Sequence, residues 1–111
     1  MYMEPSKFMT AKPFAFDKEV DYSDGGIISI QVMAKPTGNI TLFSFDKGQM
    51  LSEHTSPFDA MLQVVEGKAE VTIGGNSNTL TQGMTIIMPA NITHAVIATE
   101  KFKMVLTMIK Q

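Results

Sequence analysis

Residues 48–67, GQMLSEHTSPFDAMLQVVEG, begin and end with glycine and contain His54, one of the two histidines of the chain. The other histidine, His94, lies in a second stretch that begins with glycine, GMTIIMPANITHAVIA at residues 83–98. A histidine in such a place is a metal ligand, a proton-transferring group or a polar residue of a loop. Whether the two histidines meet depends on the fold that the rest of the chain supports.

Composition indicates one globular domain. The 111 residues are too few for two cores of ordinary size, and 44% hydrophobic against 18% charged residues is typical of a folded protein. The net charge of -2 argues against nucleic acid as a partner. The absence of cysteine excludes disulfides, thiolate metal sites and a cysteine nucleophile. No apolar run reaches the ~20 residues of a membrane helix, and the first residues do not resemble a signal peptide, so we expect a cytoplasmic protein without a membrane partner.

Short segments of apolar and alternating residues, separated by turn residues, fill the chain from Ile27 onward. Strands are predicted in IISIQVMA (27–34), NITLFSF (39–45), DAMLQVVEG (59–67), KAEVTIGG (68–75), MTIIMP (84–89), THAVIA (93–98) and FKMVLTMIK (102–110). The alternation in KAEVTIGG and FKMVLTMIK predicts one solvent-facing side for each. Residues 13–22 allow at most a short helical turn, and NSN at 76–78 is typical of a hairpin tip. The pattern predicts an all-β, single-domain barrel (27–111) preceded by an N-terminal arm (1–26).

The two glycine-led stretches resemble the two sequence motifs of the cupin superfamily. The positions that fit the motif spacings are Gly48, His54 and Gly67 in the first motif, and Gly83, Pro89 and His94 in the second. The resemblance implies a small RmlC-like jelly-roll β-barrel, often a dimer. It does not imply one activity, because this fold is used by isomerases, oxygenases, lyases and binding domains.

Typical cupins hold one divalent metal with two histidines and a glutamate of the first motif and the histidine of the second. Carried over by position, those places are His54, Ser56, Ala60 and His94 in this chain. A hydroxyl and a methyl group therefore stand where a histidine and a carboxylate are expected. Catalytic metal sites generally use three protein ligands. The resemblance thus implies at most a weakly held divalent transition metal (Zn, Ni, Mn or Fe) on the two histidines, completed by water or substrate.

Strand alternation indicates whether a neighbouring residue could replace the missing ligands. If Ala60 faces the barrel interior, then Leu62 and Val64 face it too, and Met61 and Gln63 face away. We therefore expect Gln63 to lie outside the site unless a bulge changes the register.

Three functions are compatible with these residues, and the sequence does not decide whether the protein is an enzyme. The first is a binding domain with a small-molecule pocket inside the barrel around His54 and His94. The second is an enzyme, either a metal-dependent oxygenase, lyase or isomerase, or a metal-free isomerase in which a histidine moves a proton. The third is a structural dimer with a vestigial pocket. The residues predicted to line a pocket for a small organic ligand are His54, Ser56, Ala60, His94, Met50 and Met104.

Two expectations about geometry follow. The side-chain nitrogens of His54 and His94 should lie within about 4–5 Å of each other, because metal–nitrogen bonds are ~2.0–2.1 Å long. The N-terminal arm carries Phe8, Phe14 and Phe16, which are too many large apolar groups to remain in solvent. We expect the arm to pack on a sheet, either of its own subunit or of the partner subunit in a two-fold homodimer.

Overall fold

The computed structural model describes the backbone of residues 2–4 and the full residues 7–110. Nine strands and one 3₁₀ turn follow one another along this part of the chain. In order they are β1 (Tyr2–Glu4), the 3₁₀ turn (Phe16–Lys18), β2 (Ile27–Lys35), β3 (Gly38–Phe45), β4 (Met50–His54), β5 (Asp59–Ile73), β6 (Asn76–Thr81), β7 (Thr85–Met88), β8 (His94–Ile97) and β9 (Phe102–Ile109). Among the described residues, no helix has the length and apolar character needed to cross a membrane.

The strands form two sheets that share the long strand β5. The large sheet has the order β1, β2, β3, β9, first half of β5, β7, and the small sheet has the order β4, β8, second half of β5, β6. All described pairs are antiparallel except β1 with β2. A strand that passes from one sheet to the other closes the two layers into a barrel.

The point where β5 changes sheets contains Gly67. The register of β5 against β9 shifts between Val64 and Glu66, and Gly67 has a φ of +81°. A Cβ atom at this position would collide with the carbonyl oxygen of Lys101. Glycine is required here because the backbone angle is left-handed and because no space exists for a side chain.

The core lies between the two sheets and is built from alternate residues of each strand. Along β5, Ala60, Leu62 and Val64 are at most 5% exposed, as the predicted alternation requires. Phe45 and Phe102 stack at the centre of the core with ring centroids 4.5 Å apart, and both are completely buried. These alternating contacts fix which face of each strand points inward.

The N-terminal arm packs on the outer face of the large sheet of its own subunit. Val20 of the arm belongs to a second apolar cluster with Leu42 and Val105 of the sheet, and Phe8 and Phe16 pack against this cluster. Phe8 and Phe14 also contact each other, with ring centroids 4.7 Å apart. The expectation that the arm packs on a sheet is therefore confirmed, and the sheet belongs to the same chain.

The arm also buries a lysine that the strand pattern places in solvent. Lys103 was predicted on the solvent-facing side of β9, but it is 7% exposed. Its Nζ atom donates a hydrogen bond to the carbonyl oxygen of Asp17 (2.7 Å) and lies 3.5 Å from Oε2 of Glu66 and 5.0 Å from the ring centroid of Tyr22. The Tyr22 hydroxyl donates to the same Glu66 oxygen at 2.5 Å. These contacts link the arm to the large sheet through four residues, Asp17 and Tyr22 of the arm and Glu66 and Lys103 of the sheet.

The pKa of Tyr22 is raised well above its ordinary value of 10.0. Burial of the phenol is the largest cause, and the hydrogen bond to Glu66 and the negative charge of Glu66 add to it. The phenol therefore stays protonated over the whole physiological pH range and keeps donating to the carboxylate. The prediction of a solvent-facing side on β9 was wrong at Lys103, because alternation along one strand does not indicate which other segment covers it.

Two short strands differ from the sequence-based prediction. Residues 76–78 are not a hairpin tip but the start of β6, and the turn is Gly74–Gly75, where both glycines have positive φ. Strand β4 was not predicted from the sequence, because its residues do not alternate between apolar and polar. Among the described strands, β4 and β6 each lie at an edge of the small sheet, where exposed polar side chains are tolerated. The segments DAMLQVVEG and KAEVTIGG, predicted as separate strands, are continuous in β5.

Candidate functional site

The two histidines lie side by side on neighbouring strands of the small sheet. His54 ends β4 and pairs directly with His94, which begins β8. Their ring centroids are 4.3 Å apart, and the ring planes are inclined by 69°. The structure thus brings together the two imidazoles that the motif spacing associates.

A bulge in β4 turns His54 toward its partner. Leu51 pairs with Val96 in the core, and simple alternation from Leu51 would put Glu53 on the inner face. The register shifts between Leu51 and His54, so two residues of β4 lie opposite one residue of β8 and His54 takes the position facing His94. Glu53 remains exposed.

The two imidazoles differ in burial but share a tautomer. His94 is 7% exposed, whereas His54 is exposed. Nδ1 of His54 lies 2.7 Å from the carbonyl oxygen of Ser52, and Nδ1 of His94 lies 3.4 Å from that of Ile92. A carbonyl can only accept a hydrogen bond, so each Nδ1 carries the proton. Among residues 7–110, neither ring uses Nε2 in a hydrogen bond, so both Nε2 atoms can accept from or coordinate a ligand.

Burial lowers the pKa of His94 below its ordinary value of 6.5, and a charge on His54 lowers it further, while the Ile92 carbonyl opposes both effects weakly. His94 is therefore neutral at neutral pH. Because the unfolded chain keeps the higher pKa, it binds more protons between the two values, and the free energy of unfolding falls as the pH decreases below about 6.5.

The substitution His94→Gln should reduce the decrease in the free energy of unfolding that the wild type shows as the pH falls. We expect urea unfolding between about pH 7.5 and pH 5 to show a smaller decrease in the variant than in the wild type. In His54→Gln, where a charge near His94 is removed, the pKa of His94 followed by NMR should rise toward 6.5. Equal pH dependence in wild type and His94→Gln would contradict the assignment.

Ser56 holds the loop between β4 and β5 against the turn that precedes His94. Its carbonyl oxygen accepts a hydrogen bond from the backbone N–H of Asn91 (2.7 Å), and its hydroxyl oxygen accepts one from the N–H of Phe58 (3.2 Å). Asn91 has a φ of +66°, a left-handed backbone conformation that asparagine adopts more readily than most other residues. Ser56 thus positions the loop beside the histidines and has its hydroxyl engaged in a local turn.

The other residues predicted to line the pocket fall into two groups. Ala60 and Met104 are 5% and 1% exposed and belong to the core cluster between the sheets. Met50 does not join them, because it is 52% exposed and lies beside Glu70 and Ile97 on the outer face of the small sheet. Met50 was therefore wrongly predicted to line the pocket, because its side chain faces the outer side of the small sheet.

Two residues that the motifs do not mark also shape the site. Ile73 of β5 pairs with His94 and packs against the core, so the buried imidazole has an apolar neighbour on its far side. Asp59 accepts a hydrogen bond from the N–H of Ala90 (2.8 Å) and so stabilises the turn before β8. Proximity in the fold identifies both residues, and the sequence carries no separate signal for them.

The donor set does not match a resident catalytic metal. No group of three or more His, Cys, Asp or Glu side chains in the described part of the chain could hold an ion. Two imidazoles supply fewer ligands than the three that such sites generally use, and within the described residues no carboxylate joins them in such a group.

Comparison with known proteins identifies the family. The family model for the cupin domain matches residues 41–110. A conserved protein of unknown function from Streptococcus pyogenes has 38% sequence identity and a TM-score of 0.89, with 94% of this chain and 91% of that chain covered. A cupin 2 conserved barrel domain protein from Leptotrichia buccalis has 39% identity and a TM-score of 0.85 over 87% of this chain, which spans 47% of that protein. The search of curated proteins found no match.

A more distant likeness agrees with the fold. A cupin superfamily protein from Desulfitobacterium hafniense has 21% identity and a TM-score of 0.87, with 93% of this chain and 94% of that chain covered. The predicted all-β cupin barrel is confirmed by these matches and by the two-sheet architecture. Because the family model covers more than half of the chain, the protein belongs to the cupin family.

Proposed function

We propose that this small cupin binds a small organic molecule at the His54–His94 pair. The observation that carries the proposal is the pair itself, with ring centroids 4.3 Å apart, one ring buried and one exposed. The exposed ring of His54 is accessible to a ligand, and the neighbouring ring of His94 forms the buried side of the proposed site. Both Nδ1 atoms face backbone carbonyls, which leaves both Nε2 atoms for the ligand.

The protonation of His94 indicates the chemistry of the ligand. A neutral imidazole with its proton on Nδ1 offers Nε2 as a hydrogen-bond acceptor. The ligand group that it favours is a donor, such as a hydroxyl, an enol or a protonated carboxylic acid. A neutral ring beside a second imidazole can also remove a proton from such a group, which is the step that a metal-free isomerase requires.

The two available Nε2 atoms also support a second candidate, a metal-dependent oxygenase, lyase or isomerase. A divalent Zn, Ni, Mn or Fe ion would be held by His54 and His94 and would need water or a chelating substrate for its remaining positions. When bound, such an ion supplies Lewis acidity to that substrate. The donor count makes this the weaker proposal. A structural cupin with a vestigial pocket is the outcome expected if neither ligand class binds.

Binding can be tested with a library of small hydroxy acids and keto acids followed by NMR of the imidazole C–H groups. We expect a compound that shifts the His94 signals, with binding lost in His94→Ala and weakened in His54→Ala. Met50→Ala is the matched control, because Met50 lies on the same strand as His54 but faces the outer side. Binding that is unchanged in both histidine variants would overturn the proposed site, and calorimetry with Mn(II), Ni(II) and Zn(II) separates the metal candidate.

A further inference from the structure

The turn that joins the N-terminal arm to β2 contains an aspartate followed by a glycine. Asp24 is the one Asp or Asn residue of the chain that directly precedes a glycine. The N–H of Gly26 donates a hydrogen bond to the carbonyl oxygen of Ser23 (2.9 Å), and Gly25 has a φ of +64°. Residues 23–26 therefore form a β-turn, and its two central residues are exposed.

An aspartate–glycine pair permits a rearrangement of the main chain that needs only water. The backbone nitrogen of Gly25 forms a bond to Cγ of Asp24, and the amide proton and the carboxyl hydroxyl leave together as water. A second water molecule then opens the cyclic succinimide that results. When the bond between this nitrogen and the main-chain carbonyl carbon of Asp24 breaks, the chain continues through the side chain, as isoaspartate. Glycine favours the reaction because it has no Cβ atom to hinder the approach of its nitrogen.

A second aspartate holds the nitrogen that would attack. Oδ2 of Asp46 accepts a hydrogen bond from the N–H of Gly25 (2.7 Å), and Oδ1 accepts one from the N–H of Lys47 (2.9 Å). The bond from Gly25, followed by the bond from Lys47, holds the pKa of Asp46 below its ordinary value of 3.8, so the acceptor remains ionised. The Gly25 peptide group must rotate away from Asp46 before its nitrogen can reach Cγ of Asp24.

We propose that Asp24 is a site of isoaspartate formation and that Asp46 limits the rate of this modification in the folded protein. The reaction then proceeds from molecules in which the turn has opened locally. The hydrogen bond from Gly25 to a charged acceptor opposes this opening.

The modification should loosen the arm. Isoaspartate adds a methylene group to the main chain between the last residues of the arm and β2. Two contacts hold the arm just before this point, the hydrogen bond from the Ser44 hydroxyl to the carbonyl oxygen of Asp21 (2.8 Å) and the hydrogen bond from Tyr22 to Glu66. Because the lengthened chain changes the position of the arm relative to both partners, the modified protein should unfold at a lower temperature than the unmodified protein.

Peptide mapping of the purified protein during incubation at neutral pH tests the proposal. Proteolysis and chromatographic separation of the isomeric peptides measure isoaspartate at position 24, and labelling by an isoaspartyl methyltransferase checks the amount. Asp46→Ala should raise the rate by about three- to tenfold, because loss of a hydrogen bond favours local opening to about that extent. Asp46→Asn keeps a neutral acceptor and should give an intermediate rate. The wild type unfolded in urea should react faster than the folded wild type.

A matched control separates the turn from general destabilisation. Asp59 likewise accepts a backbone N–H, that of Ala90 (2.8 Å), but in a different turn, so Asp59→Ala should leave the rate at Asp24 unchanged. Thermal unfolding of each variant verifies that it is folded during the incubation, and Asp46→Asn provides the test if Asp46→Ala does not fold. Absence of isoaspartate at position 24 in the folded Asp46 variants would overturn the modification site. An unchanged or lowered rate in these variants would overturn the protective role of Asp46.

Discussion

Gly67→Ala is expected to lower the free energy of unfolding by about 2–5 kcal/mol. The φ of +81° disfavours any L residue by about 1–2 kcal/mol. The added methyl group also meets the Lys101 carbonyl oxygen, and overpacking of this kind costs about 1–3 kcal/mol. The carbonyl belongs to the backbone just before β9, so relief of the contact would disturb the pairing of β5 with β9. Urea unfolding followed by circular dichroism measures the loss.

Gly83→Ala is the matched control. Gly83 has a φ of +90°, but a Cβ atom there has no neighbour within 4 Å. This variant should lose only the backbone contribution of about 1–2 kcal/mol. Equal decreases in the free energy of unfolding for Gly67→Ala and Gly83→Ala would show that contact of the added methyl group with the Lys101 carbonyl oxygen does not lower the stability further.

Restoring the missing motif ligands should raise divalent-ion affinity by orders of magnitude. Ser56→His combined with Ala60→Glu adds an imidazole and a carboxylate to the existing pair, which gives four donors in place of two. The carboxylate enters a position that is 5% exposed, so the metal-free double variant should be less stable than the wild type. Added Mn(II), Ni(II) or Zn(II) should reverse that loss, with about 2.7 kcal/mol of stabilisation at a hundredfold excess over Kd.

Calorimetric titration and thermal unfolding with and without the ion measure both effects. Ser56→His with Ala60→Gln is the control, because the amide has the size of the carboxylate without its charge, and its affinity should lie well below that of the double variant with glutamate. Tight binding of one ion per wild-type chain would contradict the incomplete-site interpretation. A folded double variant without increased affinity would show that positions 56 and 60 do not point at the histidines.

The sequence predicted the central geometry of the fold and the pairing of the histidines. The inward set on β5 followed from alternation, because a strand buried on one face has a period of two. The pairing of His54 with His94 was implied by the resemblance of the two glycine-led stretches to the cupin motifs, and the structure places the two residues opposite each other. Neither inference needed information about neighbouring strands.

The features that were missed depend on neighbours. Met50 faces outward because the β4 bulge comes after Leu51, and residue identity gives no signal for that bulge. Lys103 is buried because the arm crosses β9, and its positive charge is satisfied by groups distant in sequence. Long-range partners of this kind determine burial, while local pattern determines only which residues share a face.

The position of β9 has a consequence for how the chain folds. Strand β9 lies between β3 and β5 in the large sheet, although both precede it in sequence. The hairpin of β5 and β6 can form early from local contacts, but β3 and β5 keep unpaired edges until β9 inserts between them. During synthesis these edges are open to pairing with other chains. Insertion of β9 thus completes the large sheet and also ends the interval in which the edges of β3 and β5 expose the nascent protein to aggregation.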